Sequence, residues 1–273
     1  MKYKLLVTDI DGTLMGRDGS ISVEDKEALA KAIDLGVKVS LSTGRTLLSA
    51  MKIINQLSLD GYHILFDGAL VFNPSQNKEV YAQPISKAVV KEAVEFARLN
   101  DINLELYSTS QYFVERENWA SDIRREYFGI YPTLVDFTNI WERERIIKGT
   151  VAVHTAEEKA KAESLCHRFK DNLKELHFSW TATPAYPDVD FVNIVAPEVS
   201  KGKALEALAS YLAIPLAEVM AIGDERNDVS LLATAGLAVA MDNAADEVKA
   251  VADYITLDVD HSGVAAAINR FLL

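Results

Sequence analysis

Two aspartates, Asp9 and Asp11, stand two residues apart where a short apolar run ends in Asp-Ile-Asp-Gly-Thr. On a β-strand, residues i and i+2 point to the same face, so both carboxylates are aimed at one spot. Two carboxylates this close raise each other's pKa unless a cation lies between them. The spacing indicates a site for a cation, and the structural alternative is an aspartate turn that closes the strand.

Three further polar stretches follow predicted strands or begin predicted helices. Ser42-Thr43-Gly44 comes directly after an apolar run, and a hydroxyl beside backbone N–H groups there makes an anion cradle. Lys201 begins a helix, where the helix dipole disfavours a cation unless an anion lies nearby. The residues GDERND, 223–228, again place one carboxylate at a strand end and a second one four residues later.

Strand and helix patterns alternate at both ends of the chain, which is typical of a parallel sheet with right-handed crossovers. We therefore predict an α/β fold with a doubly wound parallel-sheet core. Ligands of such sheets bind beyond the carboxyl ends of the strands, where the polar stretches lie. In addition, the Asp18-Gly19 dipeptide between Leu14 and Ile21 predicts a small hairpin. The predicted core strands are Lys4–Thr8, Val37–Leu41, Val219–Ile222, Leu237–Ala240 and Tyr254–Thr256.

The middle of the chain has a different pattern, and all three tryptophans fall in it. Longer amphipathic segments, Ala88–Leu99 and Glu157–Phe169, alternate there with shorter strand patterns. This pattern predicts an α+β domain, residues 84–197, inserted into a core formed by residues 1–83 and 198–273.

The 273 residues include 28 Lys+Arg and 40 Asp+Glu, for a formal net charge of −12. This excess of acids argues against a nucleic-acid partner or an anionic membrane surface. No apolar run approaches the roughly 20 residues of a membrane span. The single cysteine, Cys166, excludes an intrachain disulfide, so we expect a cytoplasmic protein with Cys166 buried on a helix. The five histidines lack metal-ligand spacing and are expected to be structural.

Taken together, the polar stretches suit a hard cation such as Mg²⁺ and a phosphoryl group. Their order along the chain resembles the haloacid dehalogenase superfamily of phosphatases, and within it the Cof-type branch. The resemblance covers about residues 1–73 and 197–273. The matching motifs are DIDGTL (9–14), STGR (42–45), SKGKALEAL (200–208), GDERND (223–228), AGLAVAMDNA (235–244) and ADYIT (252–256).

The resemblance implies a role for individual residues. Asp9 would be the nucleophile that forms an aspartyl-phosphate, and Asp11 the general acid and then the base that activates water. The residues expected around the phosphoryl group are Thr43, Gly44, Lys201 and Asn227. The expected ligands of the cofactor Mg²⁺ are Asp9, Asp11 through its backbone carbonyl, Asp224 and Asp228.

The implied function is a Mg²⁺-dependent phosphatase for a small phosphorylated metabolite, with a sugar phosphate as the first choice. Residues 84–197 would be the cap domain that selects the substrate. A phosphotransferase or phosphomutase with the same intermediate is one alternative. Another is a non-catalytic phospho-acceptor or ligand-sensing module, which leaves the spacing of Asp9 and Asp11 unexplained. The chain departs from the branch at Asp67-Gly68-Ala69, where Asn-Gly-Ala is usual, so no substrate contact is carried over to Asp67.

Overall fold

The computed structural model describes residues 2–170, 176–183 and 186–273. The chain forms two compact units. The first contains Met1–Gly44, Lys52–Ala82 and Ser200–Leu273, and the second contains Arg45–Met51 and Gln83–Val199. Each unit has a sheet of its own. No helix among the described residues is long and apolar enough to cross a membrane.

A five-stranded, fully parallel sheet forms the centre of the first unit, in the order β14, β13, β12, β1, β2. All four residues of β1 are buried, as expected for a central parallel strand. The α/β fold class predicted from the sequence is therefore confirmed. The strands are β1 (Leu5–Thr8), β2 (Lys38–Leu41), β12 (Val219–Gly223), β13 (Leu237–Ala240) and β14 (Tyr254–Ile255).

Helices follow the strands of this sheet, and two of them are capped at their N-termini by serine side chains. Ser22 Oγ accepts the Asp25 N–H at 3.0 Å, and Ser200 Oγ accepts the Lys203 N–H at 3.2 Å. Such caps satisfy N–H groups that have no partner within the helix. The helices are α1 (Val23–Asp34), α2 (Leu47–Gln56), α7 (Lys201–Tyr211), α8 (Val229–Thr234), α9 (Asp246–Lys249) and α10 (Gly263–Phe271).

The hairpin predicted around Asp18-Gly19 is wrong, because residues 12–20 contain no strand. The Asp18 carboxylate accepts the Ser20 N–H at 2.9 Å, and the Gly16 N–H donates to the Ser20 carbonyl at 3.0 Å. This local turn uses the polar groups that a hairpin ladder would need. The first unit does contain a three-stranded antiparallel sheet elsewhere: β3 (His63–Leu65), β4 (Leu70–Asn73) and β5 (Lys78–Ala82).

The second unit contains a six-stranded sheet in the order β10, β11, β9, β6, β7, β8. Its pairs are antiparallel except for β7 with β8. The strands are β6 (Leu104–Tyr107), β7 (Tyr112–Val114), β8 (Thr133–Leu134), β9 (Lys148–Val153), β10 (His177–Thr183) and β11 (Tyr186–Val195). The helices are α3 (Lys87–Leu99), α4 (Trp119–Glu126), α5 (Ile140–Arg143) and α6 (Ala156–Lys170).

The apolar core of this unit joins α3 and α6 to alternate residues of the sheet, such as Val151 and Val192. Cys166 lies on α6 as predicted, but it is partly rather than fully buried beside this core. The predicted limits of residues 84–197 lie close to those of the second unit, and the role of these residues as a cap stays a prediction.

A buried polar group, which we call the Glu105 cluster, lies among β6, β7 and α4. Its members are Glu105, Tyr107, Tyr112 and Arg124. The two tyrosine hydroxyls donate to the Glu105 carboxylate at 2.9 and 2.8 Å. Arg124 donates to the same carboxylate through Nε at 3.1 Å and Nη2 at 2.7 Å. One carboxylate thus faces one guanidinium, with both oxygens hydrogen-bonded.

Candidate active site

The first unit brings the predicted polar stretches to one edge of its parallel sheet. Asp9 follows β1, Asp224 follows β12, and Thr43 lies two residues beyond β2. Because these strands are parallel neighbours, their carboxyl ends meet at the same edge. Lys201, the first residue of α7, reaches the same place through its side chain.

Lys201 is only 1% exposed, and its ammonium group lies between two carboxylates. Its Nζ donates to Asp9 Oδ1 at 2.7 Å and to Asp228 Oδ1 at 2.7 Å. An unpaired buried ammonium would be very costly, so these partners explain how a lysine is tolerated here. The bonds tie β1, α7 and the loop after β12 into one cluster.

Asp228 is fully buried, and its second oxygen holds the loop after β12. Asp228 Oδ2 accepts the N–H groups of Asp224 and Glu225, each at 3.1 Å. This carboxylate therefore orients Lys201 on one side and positions Asp224 on the other. The four-residue spacing of the two aspartates in GDERND has this geometric meaning.

Asp224 is held by two residues that the sequence reasoning did not single out. Thr13 Oγ1 donates to Asp224 Oδ1 at 2.6 Å, and Asn243 Nδ2 lies 3.3 Å from Oδ2. The same Asn243 amide donates to the Gly12 carbonyl at 2.8 Å. Thr13 lies inside the motif DIDGTL and Asn243 inside AGLAVAMDNA, so their position in the motifs was the available signal.

The predicted phosphate-binding residues lie in the same unit. Thr43 is buried, and its N–H donates to the Ile64 carbonyl at 2.9 Å, while Gly44 is half-buried. Asn227 is exposed, and its Nδ2 donates to Asp67 Oδ1 at 3.1 Å. Asp67, the point of departure from the branch pattern, thus contacts a predicted site residue.

Comparisons with known proteins agree with this geometry. The sequence model of the haloacid dehalogenase-like hydrolases matches residues 6–268, nearly the whole chain. The chain belongs to this family. The sequence prediction of a phosphatase of the haloacid dehalogenase superfamily is therefore confirmed at the level of family and enzyme class.

Two relatives and one solved structure match nearly the whole of this chain. The 5-amino-6-(5-phospho-D-ribitylamino)uracil phosphatase YcsE of Bacillus subtilis (strain 168) is 30% identical over 270 residues, covering 99% of this chain and 96% of that protein. Phosphatase YwpJ of the same organism is 27% identical over 285 residues, covering 98% and 100%. A haloacid dehalogenase-like hydrolase from Bacteroides thetaiotaomicron superposes with a TM-score of 0.82 at 27% identity, covering 98% and 99%.

The electrostatics of the haloacid dehalogenase-like site follow from burying three carboxylates with one lysine. Burial raises the pKa of Asp9 well above its usual value, Lys201 opposes this shift, and Asp228, Asp224 and Asp11 add to it. Burial likewise raises the pKa of Asp224 to about 7, against the hydrogen bond from Thr13. Burial would lower the pKa of Lys201, but the carboxylates of Asp228 and Asp9 raise it. The site therefore carries more negative charge than it can easily hold.

This charge surplus fits a divalent cation. Asp9, Asp224 and Asp228 offer oxygen atoms that all lie within 4.8 Å of one another. A set of carboxylate oxygens is what Mg²⁺ prefers, and a cation would offset both the burial and the repulsion that raise the two pKa values. The side chain of Asp11 is exposed and does not belong to this set.

Proposed function

We propose that this haloacid dehalogenase-like hydrolase is a Mg²⁺-dependent phosphomonoesterase that acts through an aspartyl-phosphate. The observation that supports the proposal is the buried Lys201 ammonium, 2.7 Å from both Asp9 and Asp228, beside the third carboxylate of Asp224. A site with this composition suits a tetrahedral dianion that arrives with a cation.

In the first step, a carboxylate oxygen of Asp9 attacks the phosphorus atom of the ester. The bond between phosphorus and the ester oxygen breaks, and Asp11 donates its proton to the leaving oxygen. The products of this step are the alcohol and an aspartyl-phosphate on Asp9. Lys201 neutralises part of the negative charge on the transferring group, and the backbone around Thr43 and Gly44 accommodates its oxygens.

In the second step, Asp11 takes a proton from water, and the water oxygen attacks the phosphorus atom. The bond between phosphorus and Asp9 breaks, which releases inorganic phosphate and restores both aspartates. Asp9, the Asp11 carbonyl, Asp224 and Asp228 would hold Mg²⁺. When bound, the cation supplies electrostatic stabilisation of the phosphoryl oxygens and lowers the repulsion between the ester and the carboxylates.

The proposed substrate is a small phosphorylated metabolite, and the first choice of substrate class is a sugar phosphate. The related YcsE is named for a substrate with a phosphorylated ribityl group, which supports a polyhydroxylated leaving group here. We further propose that residues 84–197 serve as the cap that selects this leaving group. The proposal places the enzyme in the cytoplasm, in keeping with its single cysteine.

Release of inorganic phosphate from 4-nitrophenyl phosphate and from a panel of phosphorylated metabolites tests the proposal. We expect turnover with Mg²⁺, no turnover after chelation with EDTA, and recovery when Mg²⁺ is added back. Turnover that is unaffected by chelation would contradict the cation site. Identification of the products separates hydrolysis from transfer, because a phosphotransferase or phosphomutase would yield a phosphorylated acceptor in place of free phosphate.

A further inference from the structure

The loop after β13 lies beside the loop after β12, which carries Asp224. The Met241 N–H donates to the Gly223 carbonyl at 3.1 Å, and the Ala245 N–H donates to the Asp224 carbonyl at 3.3 Å. These bonds continue the pairing of β12 with β13 beyond the ends of the two strands. The loop after β13 is therefore fixed next to a proposed cation ligand, and Asn243 lies in the middle of this loop.

The side-chain amide of Asn243 contacts three segments of the first unit. Its Nδ2 donates to the Gly12 carbonyl at 2.8 Å and lies 3.3 Å from Asp224 Oδ2. Its Oδ1 accepts the Val259 N–H at 3.0 Å. Because a backbone N–H can only donate, this bond assigns the amide oxygen to the side of Val259. The amide nitrogen is thereby directed at Gly12 and Asp224.

The two partners of the Asn243 nitrogen also lie against each other. Gly12 has a φ angle of 84°, in the left-handed region, and a Cβ at this position would lie 2.3 Å from Asp224 Oδ2. Residue 12 must therefore be glycine for the Asp224 carboxylate to lie where it does. Asn243 joins this carboxylate to the turn that follows Asp11, whose backbone carbonyl is an expected cation ligand.

The side chains that donate to the Asp224 carboxylate are neutral. The Thr13 hydroxyl donates to Oδ1 at 2.6 Å, and the Asn243 amide lies beside Oδ2. A hydroxyl or an amide can orient a carboxylate without cancelling its charge, whereas a lysine or arginine at position 243 would neutralise it. Neutral donors thus orient both oxygens of Asp224 and leave the charge of the carboxylate to be matched by a cation.

We propose that Asn243 is a positioning residue for the proposed Mg²⁺ site. It holds the Asp224 carboxylate and the turn after Asp11 in a fixed relation to each other before the cation binds, so that less ordering is needed on binding. The inference rests on the proposed phosphatase function and deepens it, since it names a residue that acts on the affinity for the cation. The transfer of the phosphoryl group belongs to Asp9 and Asp11.

Isothermal titration calorimetry of Mg²⁺ into the metal-free protein, without substrate, measures the dissociation constant directly. We expect Asn243→Ala to raise this constant about tenfold, the scale typical of residues that orient metal ligands. Because Asn243 is exposed, the variant should fold, and urea denaturation verifies this. The matched control is Asn55→Ala at an exposed position of α2, which should leave the dissociation constant unchanged.

Turnover of 4-nitrophenyl phosphate at increasing Mg²⁺ concentrations separates positioning from a general loss of structure. In Asn243→Ala, the rate lost at low Mg²⁺ should be recovered at high Mg²⁺, with the half-maximal concentration raised about tenfold. A dissociation constant equal to that of wild type, or a rate that stays lowered at saturating Mg²⁺, would overturn the role of Asn243 and leave the proposed function intact. If the wild-type protein neither binds Mg²⁺ nor releases phosphate, the proposed function itself is contradicted.

Discussion

The two units each bury carboxylates against a cation, but they balance the charges differently. In the Glu105 cluster, one carboxylate faces one guanidinium, and two tyrosine hydroxyls complete its hydrogen bonds. In the first unit, the carboxylates of Asp9, Asp224 and Asp228 lie within 4.8 Å of one another, and the Lys201 ammonium group pairs with two of them, Asp9 and Asp228. The first arrangement is complete by itself, and the second has a surplus of negative charge.

This difference separates a structural cluster from a functional one. Removal of either partner from a balanced buried pair lowers the stability of the fold strongly, because the remaining charge would be buried without a counter-charge. A surplus of carboxylates costs stability in the absence of a ligand, and active sites commonly accept such a cost. Variants in the two clusters should therefore change different measured quantities, activity in one case and folding free energy in the other.

The largest effect is expected for Asp9→Asn. Removing the proposed nucleophile should lower kcat for 4-nitrophenyl phosphate by at least about 10³-fold. The free energy of unfolding at pH 7 should not fall, because burial raises the pKa of Asp9 well above its usual value in spite of Lys201 and disfavours its charged form. Lys201 keeps Asp228 as its charged partner in the variant. Steady-state kinetics and urea denaturation measure the two quantities. Turnover within tenfold of wild type would remove Asp9 from its role, and Asp34→Asn is the control for activity.

The variant Glu105→Gln in the second unit is expected to change the free energy of unfolding rather than the activity. The Arg124 guanidinium would lose its buried counter-charge, which typically costs about 3–5 kcal/mol. Urea denaturation should show this loss. The matched control is Glu142→Gln, whose exposed ion pair with Lys87 should contribute no more than about 1 kcal/mol. Equal stability changes in the two variants would mean that the Glu105 cluster is no more important for folding than a surface pair.

A smaller effect is expected from His63, which is buried and has no counter-charge in contact with it in the described part of the chain. Its Nδ1 accepts the Leu41 N–H at 3.1 Å, and no partner for Nε2 is found among the described residues. Burial lowers the pKa of His63 from 6.5 to about 4, and Asp60 opposes the shift. As the pH falls from 6.5 to 4, the unfolded chain binds a proton that the folded chain refuses, so stability is lost in this window.

The loss assigned to His63 amounts to about 3 kcal/mol by pH 4 and does not grow further below it. Urea denaturation of wild type and of His63→Gln across pH 4–7 gives the free energy of unfolding as a function of pH. The loss is the difference between the slopes of the two curves. The matched control is His177→Gln, which replaces an exposed histidine by the same residue. A His63→Gln slope equal to that of wild type would show that the pKa of His63 is the same in the folded and the unfolded chain.

Much of the fold and site could be predicted because motifs and parallel-sheet geometry act together. Asp9, Thr43 and Asp224 each follow a strand, and neighbouring parallel strands bring their ends to one edge. The burial of Lys201 between two carboxylates could not be predicted from the sequence, because a lysine at the start of a helix is equally compatible with the protein surface. The prediction of a hairpin at Asp18-Gly19 was wrong because the side chain of Asp18 closes a local turn with Ser20.

The Glu105 cluster could not be predicted either, although part of its pattern is visible. Glu105 and Tyr107 stand two residues apart on β6 and share one face of the sheet. Arg124 comes from a different element, α4, and no local spacing relates a helix residue to a strand so far away in sequence. Contacts of this kind depend on how helices pack on sheets, and the pattern of residues along the chain does not specify that packing.

The central claim is that Asp9 receives the phosphoryl group, and direct detection of the phosphorylated enzyme tests it. Enzyme with Mg²⁺ and an ester carrying radiolabelled phosphate would be quenched rapidly in acid, digested and mapped by peptide. The account predicts label on the peptide that contains Asp9, lost on treatment with hydroxylamine and missing in Asp9→Asn. Label on another residue, or phosphate release during turnover with no labelled peptide at any quench time, would contradict it.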